Sequence, residues 1–175
     1  RIIIDSKSGV SGAGRKGEVA YNYAELFGNF KAYGLPGHRH TPEIEQELSR
    51  AAGKELKVSF TPHLLPAARG ILSTIHLSLT KSVTTREVEE ILTRSYQGEP
   101  FVKIVKEPQL PELKWVVGTN CCQIGARVDR RTNQLIVVSV IDNMGKGASG
   151  QAVQNMNLIC DLPETMGLQQ WPVYP

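Results

Sequence analysis

The chain lacks any apolar run near the roughly 18 residues a membrane-spanning helix requires, so no membrane partner is expected. Cysteine is scarce, with Cys121, Cys122 and Cys160 the only three in 175 residues. An odd, sparse count excludes a disulfide framework and fits a reducing compartment, which points to the cytoplasm. Aromatic residues make up 6% and the net charge is +3 without a basic run, so bases have little to stack on and nucleic acid is not an expected partner. No signal-peptide pattern is found, and a first residue of Arg1 instead of Met reads as a fragment of something longer. Repeats, low-complexity tracts and linkers are missing as well. The remainder, 41% hydrophobic and 21% charged, is an ordinary globular composition, and a chain of this length can bury a core.

Hydrophobic periodicity supplies the elements. Ile2 to Ile4 reads as a strand and GEVAYNYAELFGN as a short helix stopped near Gly28. Thr41 and Pro42 suit the N-cap and first position of a helix carrying EIEQELSRAA, closed by Gly53. ELKVSFT and ILSTIHLSLT alternate as strands, while TTREVEEILTRSYQG opens on a capping box from Thr84 to Glu87. FVKIVKE and LKWVVGT read as strands, CQIGARVDRRTNQLIVVSVID as a hairpin turning through DRRTNQ, and GASGQAVQNMNLICD as a last helix. Hairpins with interspersed helices and no regular βα alternation predict an α+β fold around a largely antiparallel sheet.

Three stretches could carry chemistry. The first, SGVSGAGRKG, spells G-x-G-x-x-G at Gly12, Gly14 and Gly17. A dinucleotide fingerprint needs its first glycine at the strand end and an acid about 20 residues on. Neither is present, and Arg15 and Lys16 stand where a phosphate loop needs Lys and Ser or Thr. A loop with Ser8, Ser11 and Arg15 still suits an anion, or is a plain surface turn.

The second, GHRHTPEIEQ, places His38 and His40 about Arg39, with Glu43 in the next helix's first turn. One imidazole can serve as an acid–base group oriented by a glutamate. The alternatives are two surface histidines, or zinc with distant His63, for which H-x-H is a weak basis. The third, IDNMGKGASGQAVQNMN, ends a strand at Asp142 and Asn143 and starts a helix with small residues. These allow a ligand close to the backbone, or simply tight helix packing.

Taken together, SGVSGAGRK, HRHTPEIEQ, SFTPHLLPAARGIL and VIDNMGKGASGQAVQNMNL, followed by LPETMGL, resemble the N-acetyl-γ-glutamyl-phosphate reductase family over essentially the whole chain. The resemblance implies the C-terminal half of an NADPH-dependent enzyme of arginine biosynthesis, with a domain of the glyceraldehyde-3-phosphate dehydrogenase type. In that family a cysteine thiolate displaces phosphate from an acyl phosphate, and hydride from the nicotinamide reduces the thioester to an aldehyde.

By the same resemblance His38 is the acid–base residue and Glu43 its orienter. Ser8, Ser11, Gly12, Arg15, His40 and Arg69 would contact N-acetyl-γ-glutamyl phosphate. Asn143, Lys146 and Gly147 would approach NADP(H), and no metal is implied. Residues 1–142 would form the substrate and oligomerisation domain, and 143–175 a helix and tail packing on a nucleotide domain. The family's nucleophile segment and Rossmann unit are not found in these residues, which implies an inactive chain within a homo-oligomeric enzyme. An aminoadipyl-type reductase and a non-catalytic module of the same fold are the rival readings.

Overall fold

The computed structural model describes residues 1–14 and 18–173. Its seven strands are β1 (Ile2–Gly9), β2 (Lys31–Ala32), β3 (Val58–Leu65), β4 (Ile71–Ser78), β5 (Val102–Val105), β6 (Cys122–Asp129) and β7 (Gln134–Ile141). They form one sheet in the order β2-β3-β1-β4-β7-β6-β5. Only β1 with β3 and β5 with β6 pair in parallel, so the sheet is largely antiparallel, as the hairpin pattern predicts. The helices are α1 (Tyr23–Leu26), α2 (Thr41–Ala52), α3 (Thr85–Ser95) and α4 (Gly150–Ile159).

Local chemistry explains most boundaries. Thr84 accepts from Glu87 N at 3.2 Å while the Glu87 carboxylate accepts from Thr84 N at 2.7 Å, the reciprocal capping box. Gly53 ends α2 at φ 64°, a left-handed conformation that glycine adopts without a Cβ penalty. In the β6–β7 turn, Asp129 accepts from Arg131 N at 2.9 Å and the Thr132 hydroxyl at 2.7 Å, so the aspartate side chain itself shapes the reversal.

Register defines two faces. Ile4 and Ser6 of β1 share one with Phe60 of β3, Ile75 of β4 and Val137 of β7. The helices pack on one face of the sheet. The opposite face carries Ile3, Thr61, Thr74, Ile136 and Val138, all half-buried. At one end of it Pro111 packs so tightly on Gly125 that a Cβ there would come within 2.7 Å of the proline ring.

Four local expectations fail. LKWVVGT is a 3-10 turn at Leu113–Trp115 followed by further turns, and it contributes no strand to the sheet. The predicted helix after residue 17 shrinks to a 3-10 turn at Val19–Tyr21 and the four residues of α1, with Val19, Tyr23 and Phe27 exposed. His40 occupies the N-cap position of α2, and the Thr41 hydroxyl is buried without a partner. Finally, β1 continues beyond Ile4 to Gly9 and β3 runs through Pro62. The Pro62 carbonyl accepts from Tyr33 N at 3.1 Å. Its missing N–H therefore faces the β2 side and takes no bond from β1.

Candidate functional site

The sequence-predicted residues fall into two groups. At the ends of β1, β4 and β7, the segment after Gly9 folds as a 3-10 turn, Val10–Ala13. There Asn143 links three elements. Its side-chain oxygen accepts from Gly70 N at 2.7 Å and its amide nitrogen donates to Ser11 Oγ at 2.9 Å. Gly12 lies against Asn143 and Ser8, since a Cβ would sit 3.5 Å from Asn143 Nδ2 and from Ser8 Oγ. Ser8, Ser11, Gly12, Arg69 and Asn143 are thus brought together, although residues 9 and 69 are far apart in sequence. Arg15 lies outside the described residues.

Asp142 beside it, noted in the sequence only as a strand end, is completely buried. Met144 N and Gly145 N donate to its Oδ1 at 2.7 and 2.9 Å, and Gly118 N and Arg69 Nη1 to Oδ2 at 2.6 and 3.2 Å. Burial by itself would raise its pKa. The three amides and the guanidinium outweigh that and hold the carboxyl below its ordinary value. The available signal was its position immediately before Asn143 at a strand end, followed by Gly145.

Lys146 turns into the body of the chain. Its Nζ donates to Gln154 at 2.7 Å and stands 5.5 Å from the Phe101 ring centroid. Gln154 in turn accepts from Asn120 at 2.9 Å and donates to Glu164 at 2.6 Å. Gly147 closes the turn through Gly147 N to Asp142 O at 2.9 Å. A cleft of about 300 Å³ lies beside these residues, lined by Arg69, Gly118, Asn120, Ser149, Gly150 and Leu168 among others.

The second group surrounds His38. Its ring lies 5.4 Å from Tyr33, 5.0 Å from His40 and 5.5 Å from Phe60, edge-on in each case. His40 N donates to His38 Nδ1 at 3.2 Å, which fixes the neutral ring with its proton on Nε2. Burial, then the charges of His40 and Arg39, push the His38 pKa below its ordinary value. Among the described residues no hydrogen bond joins it to Glu43. The backbone of His40 orients the ring instead, and neutral imidazole is favoured over the cation.

The thiols are quiet by comparison. Cys121 and Cys122 are half-buried and Cys160 exposed. Burial raises the Cys122 pKa, with Ser139 and the Lys146 charge offsetting part of this, so Cys122 is protonated at neutral pH. His63 packs against Phe30 and lies 3.3 Å from Asp5, away from His38 and His40. Among the described residues no three potential ligands are close enough to share a metal ion. No helix there is long and apolar enough to cross a membrane.

The fold and these two groups define a class. Residues 1–143 match the model of the semialdehyde dehydrogenase dimerisation domain, and the chain belongs to that family. Within it, the chain is 57% identical over 174 residues to the N-acetyl-gamma-glutamyl-phosphate reductase of Pelotomaculum thermopropionicum, covering 99% of this chain and 50% of that protein. The reductase of Moorella thermoacetica is 54% identical, with 96% and 49% covered. The chain therefore spans about half the length of the curated relatives it matches. Among solved structures, aspartate semialdehyde dehydrogenase II from Vibrio cholerae superposes with a TM-score of 0.72 at 17% identity, over 92% of this chain and 55% of that one. A probable aspartate-semialdehyde dehydrogenase from Pseudomonas aeruginosa gives 0.69 at 22% identity, over 91% and 54%. At such identities the likeness is one of fold.

Proposed function

We propose that these residues form the substrate-side and dimerising portion of a reductase that converts N-acetyl-γ-glutamyl phosphate to the semialdehyde in arginine biosynthesis. The observation that carries this is the 57% identity extending over 174 residues, site segments included. His38 is the acid–base residue: with its pKa lowered from the ordinary value the ring is unprotonated near pH 7 and so free to act as the base. His40 and the Ser8 to Gly12 turn line the substrate, with Arg69 at the anionic end and Arg15 retained as a contact.

NADPH is the reductant in this reading and supplies hydride. The described residues fit only its margin. Asn143 keeps one N–H beyond its bonds to Gly70 and Ser11, Gly147 offers close backbone, and the Lys146 ammonium is already engaged by Gln154. The bulk of the cofactor needs a nucleotide domain, and α4 is suited to face one. Met156, Leu158 and Ile159 are 50, 55 and 84% exposed, more apolar surface than one short helix normally leaves in water. Residues 143–175 are on this account the segment that packs on that domain.

The open sheet face with Ile3, Thr61, Thr74, Ile136 and Val138 is the surface for a second copy, consistent with the family's description as a dimerisation domain. The same chemistry on an aminoadipyl-type acyl phosphate is the rival substrate. A polypeptide of these 175 residues should not oxidise NADPH with N-acetyl-γ-glutamyl phosphate, whereas a complete reductase carrying them should. Comparing turnover of the complete protein on the two acyl phosphates decides the substrate, and preference for the longer one overturns the assignment.

A further inference from the structure

Arg69 and the amide that follows it are held at three places by residues distant in sequence. Its backbone packs on Gly9 so closely that a Cβ there would lie 2.8 Å from the Arg69 carbonyl carbon. The next amide, Gly70 N, donates to Asn143 at 2.7 Å, and Arg69 Nη1 donates to Asp142 at 3.2 Å. Asp142 does not depend on this last bond. Three backbone amides at 2.6, 2.7 and 2.9 Å already satisfy the buried carboxylate, which would otherwise be costly to bury.

The dependence runs the other way. The Arg69 side chain is 48% exposed, and Asp142 is its one hydrogen-bond partner among the described residues. A guanidinium carries five N–H donors in a planar fork, so most of them remain open beside the cleft of about 300 Å³ that Arg69 lines. A loose arginine gives up considerable rotamer freedom when it binds a ligand. One tied to a fixed charge has lost that freedom beforehand.

We propose that Asp142 is a positioning residue that pins Arg69 at the rim of this cleft, leaving the open edge of the fork to bind a substrate oxyanion, phosphate or carboxylate. The word substrate rests on the reductase reading. Oxyanion capture does not, and the two can fail separately.

The test titrates inorganic phosphate and, separately, N-acetyl-L-glutamate into the 175-residue chain, followed by calorimetry or amide chemical shifts. Arg69→Gln should weaken binding of at least one probe by about tenfold, the weight of a hydrogen bond to a charged group. Arg69→Lys should lose nearly as much, because an ammonium turned toward Asp142 presents no outward fork. Asp142→Asn places an amide N–H against Gly118 N and Arg69, so it should match Arg69→Gln, and the double variant should be no worse than either.

Dependence confined to phosphate assigns the cleft to a phosphoryl group, and dependence confined to N-acetylglutamate assigns it to a carboxylate. In the complete reductase, Asp142→Asn should raise KM far more than it lowers kcat. Wild-type affinity in Arg69→Lys, or no anion binding by the wild-type chain, overturns the proposal without relying on the fold of the Asp142 variant. Failure of the complete protein to reduce N-acetyl-γ-glutamyl phosphate, with Arg69-dependent anion binding intact, would instead remove the reductase reading alone.

Discussion

The knot around Asp142 and the arm that carries His38 solve opposite problems. Asp142 and Asn143 sit at a strand end where β7, the Gly70 turn, the Gly118 turn and the start of α4 converge, and every oxygen of both side chains has a short donor. His38 instead follows a stretch with Tyr23, Phe27 and Leu35 more than half exposed, and ring edges and one backbone amide hold its imidazole. The first region is stabilised from within the chain. The second shows apolar groups that need something else against them. A site that positions an anion requires fixed donors, whereas one that moves a proton requires an accessible ring whose pKa can be tuned.

The largest test of this contrast is His38→Asn in the complete reductase. It keeps size and one polar contact but removes proton transfer, so kcat should fall by about 10²–10⁴-fold with little change in KM or melting temperature. Steady-state NADPH oxidation at neutral pH measures it. An unchanged kcat removes His38 from the chemistry.

Asp142→Ala should do the reverse to stability. It strands three amides of which Asp142 is the acceptor, and at roughly 1–3 kcal/mol for each unsatisfied group the chain should lose on the order of 4 kcal/mol in urea unfolding. Because the folded pKa of Asp142 is depressed, its contribution is complete above the ordinary aspartate value of about 3.9 and disappears as pH falls through the folded one. As pH falls below about 4 and then through the folded pKa, the gap between the wild-type and Asp142→Ala melting temperatures should therefore narrow. A constant gap would show that the charge is not what the amides hold.

Gly150→Ala is a smaller probe of the same knot. A Cβ there would clash with Asn120 Oδ1 and come within 2.8 Å of Gly145 O, and relieving such a clash costs about 1–3 kcal/mol. Full stability in this variant would mean that the start of α4 is looser than the contacts imply. Thr84→Ala, remote from both regions, should cost only about 1 kcal/mol through the lost cap of α3, with catalytic constants unchanged. A change in kcat there would break the separation between scaffold and site.

How far the sequence could be read follows from the range of the forces involved. The α3 cap, the Asp129 turn and the Gly53 stop are decided by groups within a few residues of one another, and each is found where its motif stands. LKWVVGT carries the same apolar pattern as a strand, yet it becomes a turn because β6 already has β5 on that side. The bond that holds the His38 ring is itself local, from His40 N two residues on, but it depends on a backbone bend that no side-chain motif announces. A glutamate at helix spacing is an obvious orienter in one dimension, but the chain bends so that His40 N reaches the ring first.

Composition and pattern by themselves determined the α+β class, the hairpin, the capped start of α3 and the segments worth suspecting, because backbone propensity and side-chain capping act locally. Tertiary structure alone decided that β1 extends to Gly9 and lies between β3 and β4, that Asn143 joins Ser11 to Gly70, and that Asp142 reaches Arg69. Those contacts connect residues as many as 132 positions apart. Hydrogen bonds at that separation follow from sheet order and register, which no local window contains.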